Sequence, residues 1–400
     1  MSLQLVRGIT LFARKHFIFF LIIIVTFGVV LPLLLRENRH SLYSRWLANN
    51  LNSSRKLKLY RDENDVRYRV EQLYLKNLTD RRLNLISWEN NTRIKLLVAI
   101  VTTSRMLHGS GYHQAYKPYY LTQVVSRYAK IKKNRSTGQA TDIAIVLCDV
   151  DANKHTEAAS LASIVEVLHI PVLHGEHLNK FELEKRDYGN CLNYSLGRQA
   201  DYILLAEDDA LPHHDLLDKL DHLFMDRLPR MRAPFGYIKL FHPSRLNGFI
   251  TPNVNRILEW FALAGLLEHI TTALLYVSQL NKDTAWTTRL PRLVYFILLL
   301  LAVGRINVLS LRSISPYLYR LVWAPNCCTP ALIFTPSSGK LIVNYLNNVT
   351  CEEHFAKDSA LDLFTSATGL RNWFFEPKLF THIGVYTTRR NSVVDPDIVD

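Results

Sequence analysis

No glycine-rich phosphate loop is present in this chain: neither GxGxxG nor GxxxxGKS/T occurs in its 400 residues. That excludes two loop-borne cradles for nucleotides, although a nucleotide held through a metal-bridged diphosphate needs neither. Zinc-finger spacing is absent, and no basic helix interleaves with aromatic residues. The net charge of +13 and the pI near 9.5 therefore do not point to nucleic acid. The lysines and arginines are scattered, and many flank hydrophobic segments. Clustered His and Asp ligands for a two-metal hydrolase are missing too. Cysteine is scarce. Cys148, Cys191, Cys327, Cys328 and Cys351 are five, so at least one thiol stays free or pairs outside the chain.

Charge is missing altogether from Phe17 to Leu35, nineteen residues preceded by Arg7, Arg14 and Lys15. At about 1.5 Å per residue such a helix nearly crosses a hydrocarbon core of about 30 Å. The following Arg36, Glu37, Asn38 and Arg39 do not resemble a cleavage site, so an uncleaved signal anchor is expected. Flanking charge orients it poorly, but Asn-X-Ser/Thr sequons do better. They occur at Asn52, Asn77, Asn90, Asn134, Asn193 and Asn348, all beyond the anchor, which places the body of the chain in a lumen. An oxidising lumen permits disulfides, whereas Cys148 alone also reads as a small buried hydrophobe on a strand. Residues 1–16 are then a cytosolic tail, 17–35 the anchor, and 36–93 a charged stem or partly helical spacer.

From residue 94 the hydrophobic pattern changes. Apolar runs at Ile94–Val101, Asp142–Leu147, Ile164–Ile170 and Tyr202–Ala206 read as strands, with helical spacing at Tyr119–Ile131 and Phe181–Arg198. Strands and helices alternating in this way imply βαβ units, an α/β fold and a parallel sheet. Tyr202–Ala206 stops abruptly at Glu207, Asp208 and Asp209, and ligands of open α/β sheets gather beyond such strand ends. Three adjacent acids favour a counter-cation, and oxygen donors suit Mg²⁺ or Mn²⁺. The alternative is an acidic turn in which Asp209 or Asp215 caps the next helix. Further on, Leu341–Leu346 and Asn372–Phe375 read as strands. Asp358 stands at the mouth of a helix, as a functional acid or an N-cap. His382 precedes Gly384 in an apolar setting, where a lone histidine is more often structural than a ligand.

The α/β pattern breaks between Ile257 and Gly304. Two apolar runs, Ile257–Leu280 and Leu293–Gly304, flank a polar turn carrying Lys282, Arg289 and Arg292. This is a transmembrane hairpin with a cytosolic loop at about 281–292, or a pair of buried helices in a soluble domain. Glu268 within the first run is costly in a bilayer unless paired.

The nucleotide-binding βαβ units, the acidic triplet, the later acid and the C-terminal histidine together resemble a GT-A glycosyltransferase. Longer stretches resemble one family, the transferases that add N-acetylgalactosamine to the glycan of GPI anchors (post-GPI attachment to proteins factor 4). They are Phe181–Tyr188, Tyr202–Pro212, Leu240–Leu246, Arg256–Trp260, Cys327-Cys-Thr-Pro-Ala331, Lys357-Asp358 and His382-Ile-Gly384. The likeness runs from about residue 94 to 390, plus the anchor. It implies a GT-A domain in two parts, 94–256 and 305–400, interrupted by a transmembrane hairpin at 257–304, hence three spans in a Golgi membrane. It also implies UDP-GalNAc as donor, a GPI-anchored glycan as acceptor, manganese or magnesium as cofactor, and inversion at the anomeric carbon.

By position in these motifs, Asp209 binds the metal, Glu207 contacts the ribose or a metal-bound water, and Asp208 holds the site's charge. His382 is the candidate further ligand to metal or diphosphate, and Asp358 the candidate general base. Thr329 is a possible hydrogen-bonding group of the pocket. Cys327 and Cys328 either shape that pocket or form a structural disulfide. Thr103 and Ser104, where the family favours Val-Asp, occupy the turn that faces the nucleoside. Two other functions stand beside this one: a transferase of the same fold with another donor or acceptor, and a non-catalytic escort of GPI-anchored clients.

Overall fold

The computed structural model of the chain describes residues 17–38, 40–80, 94–105, 116–134, 143–153, 155–170, 178–231, 233–250, 254–278, 286–387 and 392–394. The cytosolic tail, the Asn90 sequon and the centre of the expected hairpin loop lie outside them. In chain order the main elements begin with helices α1 (Phe17–Leu35), α2 (Leu42–Asn49) and α3 (Ser53–Asp80). Then come β1 (Leu96–Thr102), α4 (Tyr120–Lys133), β2 (Ile143–Asp149), α5 (Thr156–Leu161), β3 (Glu166–His169) and α6 (Lys180–Leu196). They are followed by β4 (Tyr202–Glu207), β5 (Ala210–Pro212), α7 (Leu216–His222) and β6 (Phe235–Lys239). After α8 (Val254–Val277), α9 (Trp286–Val303) and α10 (Arg305–Ser310), the chain adds β7 (Arg320–Trp323), β8 (Ala331–Phe334) and α11 (Pro336–Asn347). It ends with α12 (Lys357–Thr368), β9 (Arg371–Glu376), β10 (Phe380–His382) and a short final hairpin.

Two compact units result, one of residues 1–52 and 244–311, the other of 53–243 and 312–400. The second is an α/β domain on an eight-stranded mixed sheet of order β3-β2-β1-β4-β8-β6-β9-β7. Strands β3, β2, β1 and β4 run parallel, with Leu96 opposite both Ile143 and Tyr202; β1, β2 and β4 are buried on both faces, while β3 at the edge is half-exposed. β8 runs antiparallel to β4 and to β6. One layer of core, around Val98, Tyr128 and Leu204, covers one face of the sheet. The other, around Leu97, Tyr188 and Phe364, covers the opposite face.

Two sequence readings change here. Leu341–Leu346 is helical, within α11, not a strand. Thr335 and Ser338 cap that helix reciprocally and Pro336 opens it, a start signal that outweighs the β-branched run. Helix α3, within the expected stem, packs on α4 and buries Leu75 and Leu78 in the core. Strands β6 and β8 are short and carry no clear sequence signal.

The other unit is helical. Among the described residues, α1 and α8 are long and apolar enough to cross a membrane. A third candidate is a bent pair, Thr288–Val303 with Arg305–Ile314, turned by 84°. Large apolar side chains of α8 such as Leu258, Phe261, Leu266 and Leu274 point outward. Arg289 and Arg292, read in sequence as part of a basic turn, lie on α9. They meet Glu268 of α8 at 3.0 and 3.4 Å, which removes the penalty of a lone carboxylate in an apolar hairpin. At the hairpin's end Arg305 pairs with Glu259 at 2.9 Å. Gly304 there has φ +87°, and a Cβ would fall 2.2 Å from the carbonyl oxygen of His40, so only glycine fits.

Cys148 on β2 and Cys191 on α6 form a buried disulfide, and Cys327 pairs with its neighbour Cys328. Cys351 is free and buried. The asparagines of the five described sequons, Asn52, Asn77, Asn134, Asn193 and Asn348, are all exposed. The first disulfide closes a separation of 43 residues between sheet and helix. Replacing both cysteines with alanine should destabilise the protein by about 4 kcal/mol. Denaturant unfolding of the two proteins checks this, and an unchanged midpoint would show the bridge to be dispensable.

Candidate active site

The carboxyl ends of β1, β2 and β4 and the antiparallel pair β5–β10 converge on one cleft. β4 ends by delivering Glu207, and the chain turns through Asp208 and Asp209 into β5. β10 lies against β5 with His382 opposite Ala210, and Ile383 N donates to Asp209 O at 2.8 Å. That pairing is why a C-terminal histidine meets an acid from the middle of the chain. His382 Nε2 stands 3.2 Å from Asp209 Oδ1. Gly384 allows the approach: a Cβ at that position would lie 1.8 Å from Asp209 Oδ2.

Ligand atoms of Glu207, Asp209 and His382 all lie within 4.8 Å of one another. Asp209 Oδ1 is buried and faces His382 Nε2 at 3.2 Å without a well-formed hydrogen bond, so a cation held by both would satisfy it. Two carboxylates and an imidazole suit Mn²⁺ or Mg²⁺, with the nitrogen donor favouring manganese. The set fits a metal. A second group, Asp149, Asp151 and His155, is equally compact but already committed. Asp149 accepts from the backbone of Asp151 and His155 and from His169, at 3.1–3.2 Å.

Two cations divide the acids. Arg105, just past β1, reaches Asp209 at 2.7 Å and Asp208 at 2.5 Å. Burial disfavours the charge of Arg105, but Asp208 and Asp209 outweigh it and raise its pKa. Burial likewise pushes Asp209 up, yet Arg105 and then His382 dominate and hold it well below the ordinary carboxylate range. In Asp208 burial wins and the pKa is raised despite Arg105. Asp208 also accepts from Thr102 Oγ1 at 3.0 Å and from Thr103 N at 3.4 Å, so it faces inward. Burial alone would lower His382, but the Asp209 carboxylate raises it above 6.5.

The second cation is Lys357, buried at the start of α12. Its Nζ lies 2.5 Å from Glu207, 3.4 Å from Glu184 and 3.9 Å from Asp358. Asp358 occupies the first turn of α12, whose N-cap is Ala356, and makes no capping bond. It accepts instead from Thr329 Oγ1. Asp209 makes no cap either, and Asp215 stands at the N-cap of α7 without a side-chain bond. Thr103 Oγ1 and Ser104 N both donate to Asp151, at 2.5 and 2.7 Å. The two residues border a cleft with Arg105, Tyr119, His155 and Glu157. All the sequence candidates thus gather at one end of the sheet. Arg105 and Asp151 were not foreseen, because an arginine or aspartate in a loop carries no signal until its partners are known.

A mixed sheet of this order, with an acidic triplet ending β4 beside a cleft at β1 and β2, defines a GT-A-type glycosyltransferase domain. The model of one family, described as GPI-N-acetylgalactosamine transferase PGAP4, matches residues 96–381. The chain belongs to that family. Among solved structures, residues 1–349 of TarS from S. aureus are 10% identical, at TM-score 0.33 over 72% of this chain and 59% of that one. The mannosyltransferase PcManGT from Pyrobaculum calidifontis, in complex with GDP-Man and Mn²⁺, is 13% identical at TM-score 0.23. That match covers 47% of this chain and 48% of the other. The chain spans less than two thirds of the length of either, and likenesses this distant carry no argument about the site.

The contact between Gly384 and Asp209 gives a direct test. Gly384→Ala should displace the Asp209 carboxylate and cost about 10²-fold in turnover, since catalytic groups tolerate little misplacement. Turnover and thermal unfolding of the purified variant check this. Wild-type turnover would show that the close approach has no role.

Proposed function

We propose that the chain is a metal-dependent glycosyltransferase of the Golgi lumen. It moves N-acetylgalactosamine from UDP-GalNAc to the glycan of GPI anchors, with inversion. The family match supports donor and acceptor. The observation that carries the reaction is the convergence of Glu207, Asp209 and His382 beside a separately held Asp358. Three spans, α1, α8 and α9, hold the chain in the membrane. At about 1.5 Å per residue α9 is about 27 Å long, enough for a thin bilayer.

In this reading Asp209, Glu207 and His382 hold a divalent cation, which supplies Lewis acidity to the departing diphosphate. Asp208 does not ligate; with Arg105 it fixes the turn. Thr103 and Ser104, with Asp151 behind them, border the nucleoside. Thr329 leaves one oxygen of Asp358 hydrogen-bonded and aims the other at the acceptor. Asp358 takes the proton of the acceptor hydroxyl as the new bond forms, with Lys357 Nζ 3.9 Å away. One base and no covalent intermediate suffice for inversion.

A protonated His382 cannot ligate, so affinity for Mn²⁺ should fall as pH drops through the raised pKa of that imidazole. Titration calorimetry should show binding weakening by about tenfold per pH unit there, and His382→Ala should flatten the dependence. A flat profile in the wild type would remove His382 from the ligand set.

In cells lacking the endogenous activity, the wild type should restore a HexNAc branch on released GPI glycans. Glu207→Ala with Asp209→Ala should not. Asp358→Asn should cut transfer by about 10³-fold while UDP binding persists. Mass spectrometry of the glycans decides. Equal restoration by wild type and metal-site variant would favour the escort reading, and no restoration by a Golgi-localised wild type would favour another donor or acceptor.

A further inference from the structure

The segment after the hairpin carries a surface that neither the metal site nor the spans use. Beyond α9 the chain bends by 84° into the helical stretch Arg305–Ile314. Ile314 is 76% exposed, Tyr317 93% and Leu318 48%, and Met225 of the helical turn after α7 is 59% exposed. Singly such residues are ordinary. Here they are gathered: Lys219 Nζ donates to Ser313 Oγ at 3.2 Å, and Arg227 Nη2 to Tyr319 O at 2.9 Å. Residues 313–319 therefore lie along α7 and the turn that follows it. The adjoining groove is lined by Arg227, Arg230, Arg320, Met231, Tyr319 and two aliphatic residues of β7, with no acid among them.

Guanidinium groups beside exposed tyrosine and aliphatic side chains are suited to a membrane interface. The charges meet anionic headgroups while the apolar parts enter the boundary with the acyl chains. We propose that this face of the α/β unit docks on an anionic lipid surface. Arg227, Arg230 and Arg320 meet lipid phosphates, and Ile314, Tyr317 and Leu318 sit among the headgroups. The proposal rests on the reading of α1, α8 and α9 as membrane spans. It goes further in giving the catalytic unit a lipid contact of its own, which would hold the cleft near an acceptor that is itself anchored in lipid.

The test uses the full chain in lipid nanodiscs, labelled with an environment-sensitive fluorophore at Tyr317→Cys or, as a control, at exposed Lys340→Cys. Nanodiscs contain phosphatidylserine or phosphatidylcholine alone, each with a headgroup-nitroxide quencher lipid. Quenching at position 317 should exceed that at 340 by about twofold or more with phosphatidylserine, and weaken without it. Arg230→Glu with Arg320→Glu should reduce it in the same way. The comparison between lipids needs no charge variant, so a variant that fails to fold does not remove the test. Equal quenching at both positions, or quenching at 317 indifferent to phosphatidylserine, overturns the docking surface. A chain that alkaline carbonate strips from membranes overturns the spans instead.

Discussion

Two buried neighbouring carboxylates are the constraint on which the rest of this structure depends. Asp208 and Asp209 cannot both be ionised out of water without a cation at hand, and Arg105 supplies it with one nitrogen for each. Arg105 is fixed in turn: its other contacts are the carbonyl of Tyr386, at 2.9 Å, and the face of the Tyr120 ring. Tyr386 follows the His382–Gly384 strap, and α3 grips both. Tyr60 donates to the carbonyl of Ile383, and Arg61 to the hydroxyl of Tyr386. A helix that reads as a spacer therefore sets the position of the residues around the acids.

Lys357 stands between Glu207, at 2.5 Å, and Asp358, at 3.9 Å. Because each carboxylate has a different partner, chemically similar side chains have different surroundings. Asp208 is tied by Arg105, Thr102 and Thr103, whereas Asp209 turns one oxygen to Arg105 and the other to His382. The cations also separate the two halves of the site, one group clustering around the end of β4 and the other around the start of α12.

Much of this was legible in sequence, for identifiable reasons. The parallel strands are continuous apolar runs because both faces are buried, and β4 is sharply marked by the acids that end it. The triplet, Asp358, Thr329 and His382 can be named as candidates from motif order alone, and the structure brings them to one end of the sheet. What stayed hidden depends on long-range pairing. Strand β8 becomes a strand only by lying between β4 and β6. Arg105 and Asp151 gain meaning from partners many residues away. Leu341–Leu346 was misread because its β-branched residues suit a strand, while the cap that decides the matter, Thr335-Pro336-Ser337-Ser338, lies just upstream. In α3 the polar surface hides the few leucines that face the core.

The position of the helical unit within the chain fixes the order in which the domain can be completed during synthesis. Residues up to 243 provide β1 to β6, Arg105 and the acidic triplet, but β4 and β6 are joined only through β8, which comes after residue 311. Until the ribosome has made the whole apolar hairpin and the strands behind it, the sheet has an open gap at its middle. Thr329, Lys357, Asp358 and His382 are also still missing. A chain cut short or stalled at the hairpin thus holds half a sheet and half a site, with exposed strand edges that invite removal by quality control.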